Sequence, residues 1–477
     1  MLDAIGILKK VIDYAIASGA SYAEARFHND SEKSVTLKNG EVEAVEASYE
    51  RGVGIRVIVN GGLGFASTNL LKPETITQVV DKAVKMARAS SSLKSVSIRF
   101  SDEEPYSVDW RVFEKKSLED WSLNDKVDFL KKLDGEILSQ GVNVSSRYLT
   151  YSEENTERAY VNTEGSLVLA MVPRPSFFAL ITVSDSSKGV IQRTLQFGGS
   201  GGLEVVDSWR LEEKLKEEVK VLHKMLVDSV QPPEEIMDVV IGSEVTGIVS
   251  HEASGHPGEA DRILGREGAQ AGESYLKPTD IGRKIGSEVV NLVDDPTLPG
   301  SYGFYLFDDE GVKARRKYLI KEGRICEFLM NRETAANLGV KSNGSARASG
   351  YDVEPIVRMS NTFMLPGEYT LEELLSDVSK GVYIKSFMEW NIDDKRWNQR
   401  YVGLEAYMIE DGKVTVPVRN PVIEITTEKL FSSIDAVGRD LDFTAATCGK
   451  GDPMQGVPVY TGGPSVRMRR IRIGRAG

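Results

Sequence analysis

The chain has 477 residues, 41% of them hydrophobic and 27% charged, with a formal net charge of −12. That length allows two or three domains with ample core, and the acidic balance excludes a phosphate-tracking surface and hence a nucleic-acid partner. No segment approaches the roughly eighteen apolar residues of a membrane span, two cysteines are too few for a disulfide framework, and Met1-Leu2-Asp3-Ala4-Ile5 has no basic region before an apolar run, so the expected location is the cytoplasm.

Ile5, Leu8, Val11, Ile12 and Ala15 recur at helical spacing and open the chain with an amphipathic helix. Two hairpins follow. Runs 34–37 and 41–45 flank Lys38-Asn39-Gly40, and runs 53–59 and 63–67 flank Asn60-Gly61-Gly62; Asn-Gly is a strong hairpin signal. A helix over about 72–89 closes this unit. A second unit follows the same plan: a helix near 125–138, strands around 145–151 and 158–161, the turn Asn162-Thr163-Glu164-Gly165, strands 166–171 and 177–183, and a charged helix over about 209–227. Both read helix, hairpin, hairpin, helix, but their residue identity is slight, so the support for an internal duplication is weak. His28, at the end of an early strand, and His223, among Leu215, Val219, Leu222 and Leu226, read as packing or surface residues.

Gln231-Pro232-Pro233 breaks the helix and marks the last domain. A short apolar strand over 237–241 precedes a helix with Ser243 as N-cap and Val245, Ile248, Val249 and Glu252 on one face; His256-Pro257-Gly258 ends it. Beyond Gly286, short β runs with Gly and Asp turns predict an extensive antiparallel sheet system, and the basic run 467–475 reads as a terminal strand with one wet face. The predicted class is therefore α+β: helix-flanked hairpin units over 1–95 and 121–230, a linker over 96–120, and a C-terminal β-rich domain over 234–477 carrying a metal-binding helix.

That helix ends in His251-Glu252-Ala253-Ser254-Gly255-His256, which holds two of the four histidines. Two neutral imidazoles with a carboxylate beside the first are parts of a hydrolytic zinc site: the rings hold the metal and the carboxylate takes a proton from water. The alternative is a helix end where both rings cap or pack. Histidines five apart would diverge by about 140° on a regular α-helix, whereas a π-type turn returns them to one side. Gly255 inside the interval would relieve the backbone of that deformation. The motif thus predicts an overfull or broken helix end. A catalytic site needs a third protein ligand and one position open to water. Glu259, Asp261, Glu267 and Glu273 are near in sequence. Cys448, in Thr447-Cys448-Gly449-Lys450, has small neighbours and a lysine that favours a thiolate, and local sequence leaves both ligand and small buried residue open for it. Cys326, near Ile325 and Phe328, reads as a buried hydrophobe.

The stretch His251-Glu252-Ala253-Ser254-Gly255-His256-Pro257-Gly258-Glu259-Ala260-Asp261 resembles the TldD/PmbA family of metallopeptidases, and the TldD branch of it, because PmbA-like (TldE) partners lack the metal motif. Asp308-Asp309-Glu310-Gly311, Asn331-Arg332-Glu333-Thr334-Ala335, Arg358-Met359-Ser360-Asn361-Thr362 and Thr447-Cys448-Gly449-Lys450 match as well, the similarity being densest over 236–473. Gly451-Asp452-Pro453-Met454-Gln455-Gly456 departs from the family's usual shorter Asp/Gly-Gln stretch. The resemblance implies that Cys448 joins His251 and His256 on one zinc ion per chain and that Glu252 is catalytic. Two neutral imidazoles and a thiolate leave zinc at about +1, so water is less acidified than by three histidines and a strong base matters more. Sulfur with imidazole suits zinc rather than magnesium or calcium. Glu259, Asp261 or a backbone carbonyl is expected to orient the rings.

The resemblance further implies a zinc-dependent peptidase acting on unfolded or extended peptides, in processing or degradation. It also implies a homodimer, or a heterodimer with an inactive PmbA/TldE-like paralogue. An extended substrate would add a strand to the C-terminal sheet system. Two other readings stand beside this one. A non-catalytic, metal-stabilised module acting through a partner would have no need of Glu252 and would close with a fourth protein ligand. Cys448 as a nucleophile with a histidine base would leave the second histidine and Glu252 without roles.

Overall fold

In the computed structural model, which describes residues 2–93, 96–268 and 272–476, the two N-terminal units build one seven-stranded sheet. Helix Leu2–Ala17 leads into strands Tyr22–Lys38, Glu41–Val59 and Gly62–Thr68 and helix Pro73–Leu93. Helix Leu123–Leu138 leads into Val144–Asn162, Leu167–Asp185 and Gly189–Gly198, and helix Leu211–Asp228 closes that unit. The two leading strands, Tyr22–Lys38 and Val144–Asn162, pair antiparallel at the centre, and the other strands of each unit run outward from them. An approximate two-fold relation follows from this order, a clearer mark of duplication than residue identity.

Both expected Asn-Gly turns are present. Asn39 and Gly40 (φ 52° and 86°) and Asn60 and Gly61 (φ 49° and 72°) supply the left-handed pair that a two-residue hairpin turn requires. Strand length differs from expectation. The runs at 145–151 and 158–161 are one strand, as are those at 166–171 and 177–183. Charged residues that interrupt the apolar alternation are buried with partners, not placed at turns: Glu153 pairs with Lys126 at 2.6 Å, and Arg174 donates to the carbonyls of Tyr302 and Phe304. The expected linker 96–120 contains strand Ser107–Arg111, which adds parallel to Leu167–Asp185. Helices of the two units cover one sheet face through Leu8, Val11, Val80, Leu130 and Leu222, all fully buried.

The C-terminal domain has two larger sheets. One runs in the order Phe387–Ile392, Asn398–Gly403, Pro421–Thr426, Val466–Arg475, Ile236–Ile241, Lys380–Ile384, Ala406–Glu410, Lys413–Pro417, with Ile434–Val437 beside Val466–Arg475. The other runs Arg324–Ile325, Lys317–Lys321, Leu292–Asp294, Asn361–Met364, Gln455–Gly463, Asp442–Lys450. Most pairings are antiparallel; Ile236–Ile241 with Lys380–Ile384 and Asn361–Met364 with Gln455–Gly463 are parallel. The fold class is α+β.

The basic C-terminal strand carries a register irregularity between Met468 and Ile471, with Arg470 at φ 56°, which resets its alternation so that Ile471 and Ile473 face inward like Met468. Its expected wet face is neutralised: Arg467 and Arg469 both pair with Asp435 and Asp377. The N-terminal sheet docks on this domain through buried charge. Glu310 accepts from Arg56 at 2.5 Å and from the backbone of Arg332 at 2.7 Å, while the Arg332 guanidinium reaches Tyr22, Ser101 and Glu164. Two of the family-like segments, around Glu310 and Arg332, are thus docking points. Cys326 is exposed, contrary to expectation: Ile325 and Phe328 turn inward, and Cys326 faces out just past the two-residue edge strand Arg324–Ile325. His223 is exposed. Among the described residues no helix is long and apolar enough to cross a membrane.

Candidate metal centre

Strand Ile236–Ile241 hands the chain to helix Ser243–Ser250, whose N-cap is Gly242, not Ser243, without a side-chain cap. Val245, Ile248 and Val249 are buried, each worth about 1.5–3 kcal/mol on removal from water. Thr246, Gly247 and Ser250 are buried too, so the helix is enclosed on all sides rather than amphipathic. The Ser250 and Ser254 hydroxyls donate to the carbonyls of Thr246 and Ser250 one turn back, at 2.7 and 2.6 Å, which satisfies them inside the core. Gly247 lies against the backbone of Thr461 and Gly462, and a Cβ there would stand only 3.0 Å from it. That close approach seats the helix on strand Gln455–Gly463.

At His251 the helix widens into a π turn, His251–Gly255, in which the backbone N–H of His256 donates to the carbonyl of His251. The two rings come together with centroids 4.9 Å apart and planes at 82°. The reason for Gly255 differs from expectation. Its φ of −63° is ordinary helical geometry, but a Cβ would lie 1.9 Å from Met359 Sδ. Glycine is required by packing, not by backbone freedom.

Cys448 arrives on strand Asp442–Lys450, which pairs in unbroken register with Gln455–Gly463 and sets Cys448 opposite Val457. The variant segment forms the hairpin loop 451–454 without disturbing that register. Cys448 Sγ lies 3.5 Å from His256 Nε2. Ligand atoms of His251, His256 and Cys448 all fall within 4.8 Å of one another, and all three side chains are buried. Among the described residues no fourth histidine, cysteine or carboxylate joins this group. The other acidic candidates lie elsewhere. Asp261 pairs with Lys450 at 2.7 Å, Glu267 lies 3.8 Å from Lys450, and Glu273 is exposed opposite Lys395.

Glu259 stands behind the centre, its Oε2 accepting from His256 Nδ1 at 3.0 Å and from Arg262 at 2.6 Å, with the Lys450 ammonium 3.3 Å away as an ion pair. This fixes the His256 tautomer with Nε2 directed to the cluster, the arrangement by which carboxylates orient metal-bound imidazoles. Burial opposes its charge, but Lys450, His256 and Arg262 hold the carboxyl well below the usual range. Since Lys450 is two residues from Cys448, one carboxylate links both ligand-bearing elements. Arg358 donates to the carbonyls of Cys448 and Gln455, the latter at 2.7 Å. Burial pushes the Cys448 thiol up, yet His256 and Arg358 outweigh it and bring it down to about 7. Burial also lowers His251 below the ordinary imidazole range, against the pull of Glu252. Both conditions favour ligand forms, a thiolate and a neutral ring. His251 Nδ1 is buried and without a partner among the described residues. Two imidazoles, a thiol and an unpartnered ring nitrogen fit a zinc ion.

Glu252 is buried beside the rings, and its Oε2 accepts from Arg396 Nη1 at 2.7 Å. Burial raises this carboxyl, but His256, His251 and Arg396, with a smaller contribution from Trp390, bring it below its ordinary value and keep it ionised. Arg396 sits at the tip of the hairpin Phe387–Ile392 and Asn398–Gly403, in a left-handed conformation with φ 63°. Neither Arg396 nor Trp390 carried a sequence signal. Only the cluster Asp393-Asp394-Lys395-Arg396, typical of an exposed turn, marked the place.

Three family models match the chain: the PmbA/TldA metallopeptidase C-terminal domain over residues 234–475, domain 1 over 23–87 and the central domain over 116–226. A metalloprotease of Methanothermobacter thermautotrophicus is 32% identical over 96% of each chain. A zinc metalloprotease TldD homolog of Saccharolobus solfataricus is 26% identical over 98% of this chain and 99% of its own. Among solved structures, TldE of Thermococcus kodakarensis superposes with a TM-score of 0.73 at 18% identity, covering 98% of this chain and all of that one. A Thermotoga maritima protein described as a candidate modulator of a DNA gyrase gives 0.78 at 20% identity, covering 98% and 99%. The chain belongs to the TldD/PmbA family of metallopeptidases.

Proposed function

We propose that this chain is a zinc-dependent peptidase acting on unfolded or extended peptides in the cytoplasm, one zinc ion per chain held by His251, His256 and Cys448. The observation that carries this is a buried three-donor cluster with an ionised carboxylate, Glu252, beside it. When bound, zinc supplies Lewis acidity toward water and the peptide carbonyl. Glu252 accepts the proton as water adds to the carbonyl carbon and delivers it to the amine as the C–N bond breaks. Arg396 fixes the carboxylate through Oε2, and Glu259 fixes the His256 ring. The strand Phe387–Ile392 ends the larger C-terminal sheet with Met388 and Trp390 exposed, an edge to which an extended peptide can add beside Glu252. Free thiols at both cysteines suit a reducing compartment. Pairing with a second copy or a PmbA/TldE-like paralogue belongs to the same proposal. It is supported by residues 41–51 of strand Glu41–Val59, which have no outer strand partner among the described residues and expose Val42, Val45 and Tyr49.

A second reading has a specific observation in its favour. Cys448, His256 and Glu259 stand in sequence as a nucleophile, base and orienting carboxylate do, with contacts of 3.5 and 3.0 Å. It leaves His251 and Glu252 idle. One experiment separates the two: zinc content and hydrolysis of an unstructured peptide for wild type, Glu252→Gln and Cys448→Ala, with and without chelator. The zinc peptidase predicts chelator-sensitive activity, Glu252→Gln that keeps zinc and loses about 10²–10⁴-fold in rate, and Cys448→Ala that loses both. Chelator-resistant hydrolysis abolished only in Cys448→Ala would establish the cysteine nucleophile instead. A zinc-loaded wild type without hydrolysis would leave a non-catalytic module.

A further inference from the structure

A second space lies away from the metal cluster, between the N-terminal sheet and the C-terminal domain. It is a cavity of about 120 Å³, room for several water-sized groups. Its floor is one cross-strand row. His28 faces Arg158, Arg158 faces Ala170, and Ala170 faces Trp110. The small side chain of Ala170, flanked by larger neighbours, opens the space. Arg26 and Arg174 extend the floor, and Arg347 closes the opposite wall with Ser349 and Pro458.

The polar groups here are overwhelmingly donors. His28 and Trp110 are 1% and 8% exposed, and neither His28 Nδ1 nor Trp110 Nε1 has a partner among the described residues. The His28 tautomer can be assigned. Its Nε2 lies 3.4 Å from Arg26 Nη1, and a guanidinium only donates, so Nε2 accepts and Nδ1 carries the hydrogen. Two buried N–H groups therefore lack acceptors in a space walled by four guanidinium groups. Three carboxylates share the wall. Asp309 accepts from the backbone N–H of Ala348, and Asp308 from those of Glu310, Val312 and Ala346. Burial pushes Asp308 well above the usual range, toward its neutral form. Glu154, cross-strand from Arg174, is the third. Burial lowers Arg26 and Arg174 and brings Arg347 down to about 10, while Arg158 is paired with Asp30.

We propose that this cavity is a binding site for a small oxyanion, whose acceptor-only oxygens take the hydrogens of Trp110 Nε1 and His28 Nδ1 under the charge of Arg26, Arg158, Arg174 and Arg347. Carboxylates and phosphate-type anions share this chemistry. Such a ligand would brace the seam between the two parts of the chain. It would also touch the back of the proposed peptidase centre, since Val457 on the wall is the cross-strand partner of Cys448 and Arg347 donates to the carbonyls of Met359 and Pro458.

The test is titration of the full chain, in chloride buffer free of other oxyanions, with inorganic phosphate in one arm and N-acetylglycine in the other. Binding is read by calorimetry and by the rise in melting temperature. Saturable one-to-one binding in either arm is expected, and the arm that binds tells phosphate-type from carboxylate ligands. Trp110→Phe keeps an aromatic ring but removes the N–H, and His28→Leu removes the other donor. Each should weaken binding about tenfold while leaving peptide hydrolysis in the absence of the anion unchanged. No saturable binding in either arm, or wild-type affinity in both variants, would overturn the site and leave a water-filled cavity.

Discussion

Glu259 ties three side chains of the centre together, because its Oε2 meets His256, Arg262 and Lys450. Glu259→Gln keeps the size and removes the charge, so the His256 tautomer is no longer fixed and Lys450 is left to Asp261 as its nearest carboxylate. Zinc affinity should fall about 10–100-fold with the fold retained, as measured by competition with a chromophoric chelator. Unchanged affinity would reduce Glu259 to a packing residue. At this scale the sequence was legible where the chemistry is local. His251, Glu252 and His256 lie within six residues, and their spacing carries meaning by itself. Cys448 stands 192 residues beyond His256, and local sequence left it undecided until family resemblance was added. Arg396 was silent for a different reason: arginine is an ordinary surface residue, and only tertiary burial makes it part of a site.

The helix that carries both histidines ends in a deformed turn, and one contact holds the deformation in place. Met359 occupies the volume where a side chain at position 255 would go. Gly255→Ala should therefore displace Met359 or the π turn, destabilising the protein by about 1–3 kcal/mol. Zinc affinity should fall with it, and thermal unfolding and zinc titration both report on this. A variant as stable and as zinc-avid as wild type would show that the turn does not depend on Met359. The π turn was readable from the five-residue histidine spacing, because a helix has few ways to aim such positions together. Strand lengths were not readable. Long strands such as Val144–Asn162 bury partnered charges midway, and a pattern based on apolar alternation takes each charge for a turn.

Viewed whole, the chain shares its N-terminal sheet between two similar halves and leaves one long edge at 41–51. Lysines at Val45 and Tyr49, both exposed, should block strand addition there. On the proposed pairing, wild type is expected to be dimeric by light scattering and the double variant monomeric; equal masses for the two would rule out an interface at this edge. The sequence foretold α+β architecture and both Asn-Gly hairpins, but the merging of the two units into one sheet depends on the pairing of Tyr22–Lys38 with Val144–Asn162, which no local signal encodes. The separation of the donor atoms has a consequence for synthesis. His251 and His256 leave the ribosome long before Cys448, and that cysteine reaches them only after strand Asp442–Lys450 has joined its sheet. A nascent chain of this protein thus holds an incomplete donor set until Cys448 is made, so the hydrolytic power proposed for it would be withheld from the substrate closest at hand, its own unfinished polypeptide.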